Sequence, residues 1–356
     1  MLLWQWYQRL EAKVTFKGVQ SEDFAVKCGT RQGAILSPCL ANVFFWPLLR
    51  ELDDSNMGAF LHGCHVPCVS YADDLLLLSA NQKHLQKLLN IVERFARTWR
   101  ISFTHPDPKL TKSHCLVFGA SLLSSTPVWM LCNQRLDVKT TSVHLGVTMD
   151  ACLQGSLHTE NRIKRARGAF YAMTPAGILS SRLSPSDKVF LWRTVALPAL
   201  LFGCEVAPLR AADVQRLEKC QASCLKAALG LPQYAHHTAL LTALGVPTIR
   251  QLLREGVLRT LRNSFRDDHR LRQALVRAIG EFTRRPSSLG GSFVGLAADL
   301  CGGHLETLLN VTNGCISRSL VSAPSCADGI VDSIKTAAEY PEPLRSTLLF
   351  LLCKPF

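Results

Sequence analysis

Three Asp-Asp pairs occur in the chain: Asp53-Asp54, Asp73-Asp74 and Asp267-Asp268. The first follows an apolar helical pattern and precedes Ser55-Asn56; the third sits among Arg266, His269 and Arg270. Both read as solvated charge. The middle pair differs, because it lies between Cys68-Val69-Ser70-Tyr71 and Leu75-Leu76-Leu77-Leu78, where a strand on either side is expected to be buried. Two carboxylates side by side in such a place repel one another and resist ionisation unless cations compensate them. A hairpin turn would hold both at the lip of a sheet, within reach of a divalent ion. Mg²⁺ favours a few carboxylates together with substrate phosphates, and two-metal phosphoryl transfer needs such a clamp on the attacking and leaving oxygens. An ordinary acidic β-turn accounts for the same two residues, so the pair alone does not decide.

The other metal-ligating side chains offer less. Fourteen cysteines are scattered through the sequence, and the tightest clusters are Cys64-His65 with Cys68, and Cys220 with Cys224. Neither has a second pair at ligand spacing, so no zinc is predicted. With no secretory or other targeting signal at the start, they read as ordinary thiols of a reduced intracellular protein, nuclear or cytoplasmic. The apolar run from Val189 to Cys204 contains Arg193 and Pro198 and falls short of the ~20 apolar residues of a membrane span, so no membrane is expected as a partner.

Elements must position the carboxylates. Met1 to Leu10 reads as the end of a helix. Alternation at Val14, Phe16, Phe24, Val26 and Cys28, about a turn at Gly18, reads as a β-hairpin. Gly29 to Ser37 is a loop, Pro38 to Leu52 a buried helix, and residues 82–99 the clearest amphipathic helix, with Leu85, Leu88, Leu89, Val92, Phe95, Ala96 and Trp99 on one stripe. Strand-like pieces follow at 115–118, 128–131 and 143–148. From about 157 to 283 the pattern is helical, broken near Pro175, Pro185, Gly230-Leu231-Pro232 and Gly245-Val246-Pro247. The order predicts an α+β unit over residues 1–150, an all-α unit over 151–285, and a poorly specified tail over 286–356.

Charge is distributed unevenly over these units. Of the net +13, residues 1–150 hold 15 basic and 12 acidic side chains (+3), 151–285 hold 21 and 9 (+12), and 286–356 hold 4 and 6 (−2). The basic middle would attract a polyanion, since each phosphate neutralised releases condensed counterions. A solvated helical surface would carry the same excess.

Tyr71-Ala72-Asp73-Asp74 resembles the tyrosine–x–aspartate–aspartate signature of reverse transcriptases, and Gly29-Thr30-Arg31-Gln32-Gly33 through Leu36-Ser37-Pro38 resembles their glutamine–glycine loop. Lys109 to Lys112 before Cys115-Leu116-Val117-Phe118 is similar to the lysine-bearing loop and strand after the active hairpin. His144-Leu145-Gly146-Val147 resembles the leucine–glycine turn of the primer grip. Weaker likeness to the non-LTR retrotransposon class runs from Arg162 through Leu197-Pro198-Ala199-Leu200 to Gly245-Val246-Pro247. The resemblance covers about residues 1–265. It implies an incomplete polymerase palm, an antiparallel sheet with packed helices, followed by a helical thumb. It further implies Asp73 and Asp74 as catalytic, Mg²⁺- or Mn²⁺-binding residues, and Arg31, Gln32, Gly33, Tyr71 and Lys112 as contacts to template and nucleotide. The implied partners are an RNA template, a DNA primer and deoxynucleotides. Two residue-level expectations accompany the loop: Gly33 allows close backbone approach to a ligand, and Ser37 caps a helix that has Pro38 in its first turn.

One departure bears on activity. The family carries a further metal-binding aspartate on a strand upstream of the glutamine–glycine loop, and the only acids before Gln32 here are Glu11, Glu22 and Asp23, none in an apolar run. The chain is therefore expected to begin after that strand, to expose an apolar sheet edge at Leu75–Leu78, and to be inactive by itself. The alternatives are a non-catalytic nucleic-acid-binding module and a decayed element.

Overall fold

The computed structural model describes residues 5, 9–26, 29, 33–61, 63–107, 110–118, 127–267 and 349–353. The helix read at the N-terminus falls almost wholly outside them. Short ladders open the described chain: β1 (Glu11–Ala12) pairs antiparallel with β4 (Phe24–Ala25) around the hairpin of β2 (Thr15–Phe16) and β3 (Val19–Gln20). Lys17 and Gly18 supply the two positive φ angles, +49° and +84°, that a two-residue hairpin turn requires.

Helix α1 (Ser37–Asp54) has Pro38 in its first turn, but Ser37 is its first helical residue and makes no cap; Leu36 holds the cap position without a side-chain hydrogen bond. Next come the hairpin β5 (Ala59–Leu61) and β6 (Cys64–Val66), then β7 (Cys68–Tyr71) and β8 (Asp74–Ser79). Helix α2 (Gln82–Trp99) starts at Asn81, whose Oδ1 accepts from the Lys83 and His84 amides at 2.8 and 3.3 Å. It ends at Arg100, in the left-handed region at φ +54°. Its stripe of Leu85, Leu88, Leu89, Val92, Phe95 and Ala96 is buried, together with Ile91. Trp99 is 52% exposed, because its position closes the helix beyond the edge of the core, where its ring leans on Phe44 and Phe95.

The main sheet has the order β12-β9-β15-β8-β7, with β9 at His114–Val117, β12 at Asp137–Lys139 and β15 at Leu349–Cys353. Two expectations are corrected here. The sheet is not wholly antiparallel, since β12 runs parallel to β9. The chain between them is long enough for that crossover and contains the hairpin β10 (Met130–Leu131) and β11 (Gln134–Arg135). Nor is Leu75–Leu78 an open edge: all four residues are buried, and β8 is paired on both sides, by β7 and by β15.

Alternation along β8 sends Leu75 and Leu77 into a core with α1, α2, Phe103, Cys115, Val117 and Trp129, and Leu76 and Leu78 against Ala59 and Val66. A strand covered on both faces has to be apolar throughout. Fully burying a leucine is worth about 1.5–3 kcal/mol.

The hairpin of β13 (Thr141–His144) and β14 (Val147–Asp150) leads into helices α3 (Ser156–Ala172), α4 (Pro185–Leu191), α5 (Leu197–Leu201), α6 (Ala211–Leu229), α7 (His237–Leu244) and α8 (Ile249–Asp267). These helices close a second core around Phe170, Trp192, Leu200, Leu217, Leu225 and Leu253. Gly230 and Gly245, at φ +66° and +60°, terminate α6 and α7 in the left-handed conformation that glycine adopts without steric cost. One π turn, Trp192–Ala196, joins α4 to α5 just before Pro198. A proline has no amide to donate and crowds the carbonyl four residues back, and the wider turn accommodates both.

Candidate active site

Tyr71 and Asp74 are directly paired across β7 and β8, leaving Ala72 and Asp73 as a two-residue turn. Ala72 takes φ +53°, the value that makes so tight a turn between twisted strands. Asp73 is exposed at the tip, and Asp74 is partly buried as the first residue of β8. The pair thus stands at the end of β8, whose remaining length is buried in the core, and of β7, which pairs with β8 but is mostly exposed. The expectation that both flanking strands are buried is corrected for β7. Tyr71 is exposed beside it.

Lys112 lies at the same end of the sheet. Leu352 of β15 faces Leu76 on one side and His114 on the other. Asp74 and Lys112, each two residues earlier, therefore leave the sheet together. The loop that carries Lys112 is tied down: Thr111 Oγ1 donates to Gln134 Oε1 at 3.2 Å, and Gln134 Nε2 donates to the His105 carbonyl at 2.7 Å. His114 Nδ1 donates to the Lys112 carbonyl at 2.8 Å, and its Nε2 accepts from Ser142 Oγ at 2.7 Å. Lys112 itself is exposed.

Gly33 is in the left-handed region at φ +79°, and among the described residues no atom beyond its chain neighbours lies within 4 Å of where a Cβ would stand. Space beside its backbone is open to a ligand. Arg31 and Gln32 fall outside the described residues. Of the other two Asp-Asp pairs, Asp54 is exposed and lies 3.9 Å from Arg50, as expected of solvated charge, whereas Asp53 is partly buried, 3.7 Å from His65 Nδ1. Asp267 ends α8, and Asp268 is outside the described residues.

Asp73 and Asp74 supply two of the hard oxygen donors that a divalent cation takes. Among the described residues no group of three or more His, Cys, Asp or Glu side chains gathers that could hold a metal ion. Cys220 and Cys224 are buried one turn apart on α6, where the hydrogen bond between them and burial push the Cys224 thiol up. No helix among the described residues is long and apolar enough to cross a membrane.

A buried polar cluster joins the turn of the β13–β14 hairpin, which holds the Leu145-Gly146 motif, to the helices. Arg162 Nη2 donates to the Gly146 carbonyl at 3.1 Å in the hairpin turn, and the guanidinium lies 5.3 Å from the Phe202 ring centroid. His158, one turn earlier on α3, accepts from the Thr148 amide at Nδ1 and donates from Nε2 to the Phe202 carbonyl, both at 3.1 Å. Burial lowers the pKa of each, and the Arg162 charge lowers that of His158 further. A cation read from sequence as surface charge is here internal. So are Lys188 and Lys226, whose ammonium groups donate to the carbonyls of Ala228 and Gln233. The signal for Arg162 was available in its spacing from His158, four residues apart on one face of α3.

An adjacent carboxylate pair on a tight hairpin, set on a helix-backed sheet, is what a nucleotidyl-transfer segment presents, and residues 1–119 match the family model "Reverse transcriptase (RNA-dependent DNA polymerase)". The chain is similar to the reverse transcriptases of non-LTR retrotransposons. It is 23% identical over 249 residues to the RNA-directed DNA polymerase from mobile element jockey of Drosophila melanogaster, covering 66% of this chain and 25% of that protein. Against the Retrovirus-related Pol polyprotein from type-1 retrotransposable element R2 of Popillia japonica it is 24% identical over 198 residues, covering 54% and 31%. The type-2 element R2DM of Drosophila melanogaster gives 23% over 261 residues, covering 69% and 23%. The chain thus spans about a quarter to a third of the length of these relatives.

Proposed function

We propose that the chain is the catalytic-hairpin portion of an RNA-directed DNA polymerase, in which Asp73 and Asp74 ligate the divalent cations of nucleotidyl transfer. The observation that carries this reading is the hairpin itself: two adjacent carboxylates at its tip, leading into the apolar and buried strand β8, at the same sheet end as Lys112. On it, the part up to Asp150 acts as a palm and the helices from Ser156 as a thumb, gripping an RNA template and a DNA primer. Mg²⁺ or Mn²⁺ held by Asp73 and Asp74 would supply the electrostatic clamp on the attacking and leaving oxygens. The residues of the chain position it. The buried apolar strand β8 fixes the carboxylates, Gly33 leaves room for a backbone to approach, and Lys112 offers a positive charge to a phosphate.

Two carboxylates hold Mg²⁺ loosely, since the ion gives up its waters reluctantly and wants octahedral geometry. Residues 1–356 by themselves are therefore expected to bind Mn²⁺ weakly and to incorporate no nucleotide. Primer extension is expected once an aspartate-bearing strand of the family's kind is supplied to a chain shortened at Leu348, which leaves the flank of β8 open to it, and Asp73→Asn should abolish it again. Robust extension by the 356 residues alone would show that another acid completes the site.

The exposed cations of the helical region favour a second contribution, namely binding of nucleic acid without sequence preference. Lys164, Arg165 and Arg167 stand out from α3, and Arg250, Arg254 and Arg259 from α8. The two readings are separable, because binding persists in Asp73→Asn while extension does not.

A further inference from the structure

The sheet that carries the carboxylate pair has a five-residue segment from near the end of the chain as its middle strand. β15 pairs with β8 along its whole length, from Leu349 opposite Ser79 to Cys353 opposite Leu75. On its other side it pairs with β9, from Leu349 opposite Val117 to Leu352 opposite His114. Among the described residues no other strand links the β7–β8 hairpin to β9 and β12. Without β15, two strands of buried apolar residues, Leu75–Leu78 and Cys115–Val117, would face one another with unpaired backbone groups. A segment that fills such a slot has to be extended, uncharged, and apolar toward both covered faces. Leu349-Phe350-Leu351-Leu352-Cys353 meets each requirement, and sequence on either side of it carries the cations Arg345 and Lys354.

We infer that the slot between β8 and β9 is a strand-acceptor site, and that the C-terminal strand of this chain is the ligand that fills it. The strand is a keystone. It ties the carboxylate hairpin to the rest of the sheet by backbone hydrogen bonds on both sides, so the rigidity of the Asp73–Asp74 tip depends on it. One consequence rests on the reading of the pair as a metal site. With β7 on one flank of β8, an acid reaching Asp74 from a neighbouring strand has to come from this slot, and β15 brings none. The strand therefore supports the hairpin while closing its flank to an acid-bearing strand.

Amide hydrogen exchange followed by mass spectrometry tests the assignment without reference to metal or polymerase activity. In the full chain, amides of residues 75–79 and 115–117 are expected to exchange at least about a hundredfold more slowly than unstructured amides. Unprotected amides in those two stretches of the full chain would overturn the inference outright. Truncation at Leu348 should speed exchange in both stretches, except at amides with another acceptor such as Leu78, which donates to the Pro67 carbonyl, and leave α6 protected as an internal reference. Leu351→Pro should do the same, since Leu351 pairs with a strand on each side and proline breaks a ladder there. A synthetic peptide of residues 345–356, added in excess to the truncated chain, should restore protection. Protection unchanged by truncation, or not restored by the peptide, would equally refute a strand-acceptor slot. Failure of the polymerase reading would show only in the extension assay and would leave these exchange rates untouched.

Discussion

His158 shows how a single side chain can make the fold sensitive to acid. Its Nδ1 accepts from the Thr148 amide, so the ring fits its place only as the neutral form that donates from Nε2 to Phe202. Burial, the largest cause, and the neighbouring Arg162 both hold its pKa below the ordinary value of about 6.5, against the opposing pull of the Phe202 carbonyl. The unfolded chain then takes up this proton before the folded chain does. The contribution is present in full above pH about 6.5 and is lost as pH falls from there toward the folded pKa. Urea midpoints at pH 7.5 and 5.5 should show wild type losing stability. His158→Gln, which keeps an acceptor and a donor without the titration, should lose less; equal losses would remove His158 as a cause. Arg162 is held by hydrogen bond and ring contact rather than by a carboxylate. Arg162→Ala should cost about 2–4 kcal/mol by the same measurement, and Arg162→Lys should not rescue it, because an ammonium cannot stack on Phe202 as the planar guanidinium does.

At the scale of elements, what could be read in advance followed from local chemistry. The carboxylate hairpin is legible because two apolar runs are separated by only Tyr71-Ala72-Asp73-Asp74, and α2 because its leucines recur at helical spacing. Asn81 is the natural start of that helix, and Asn81→Ala should lower stability by about 1 kcal/mol in a urea titration. Gly58 is a stricter case. It stands at φ +121°, where a Cβ would come within 2.7 Å of Pro67 Cα and 3.0 Å of the Leu78 carbonyl oxygen. Gly58→Ala should therefore cost roughly 2 kcal/mol or more, combining backbone strain with overpacking at the end of β8. The cap of α1 was misjudged, because a serine before proline looks the same from sequence whether it is the cap or the first helical residue. The parallel ladder of β12 on β9 and the π turn were not legible at all. Each depends on where the chain returns, and no window of neighbouring residues contains that information.

At the scale of the whole molecule, charge is the property most open to test. The +12 excess over residues 151–285 overstates the charge on the surface, because Arg162, Lys188 and Lys226 are buried. Enough exposed arginine and lysine remains for an electrostatic surface. Three phosphate contacts would weaken binding to an RNA–DNA hybrid roughly forty-fold between 50 and 200 mM salt. A fluorescence titration at several salt concentrations checks this, and affinity indifferent to salt would count against a phosphate-binding role. The segment from Leu349 to Cys353 was hidden for the reason that made β12 hidden, in a more extreme form: its partners lie more than 200 residues earlier in the sequence. That separation has a consequence during synthesis. Leu75 leaves the ribosome 278 residues before Cys353 (353 − 75), which at about 5–20 residues per second is a delay of roughly 15–55 s. For that interval the nascent polypeptide displays an apolar strand that lacks one neighbour, a species that chaperones recognise and that aggregates when they are scarce.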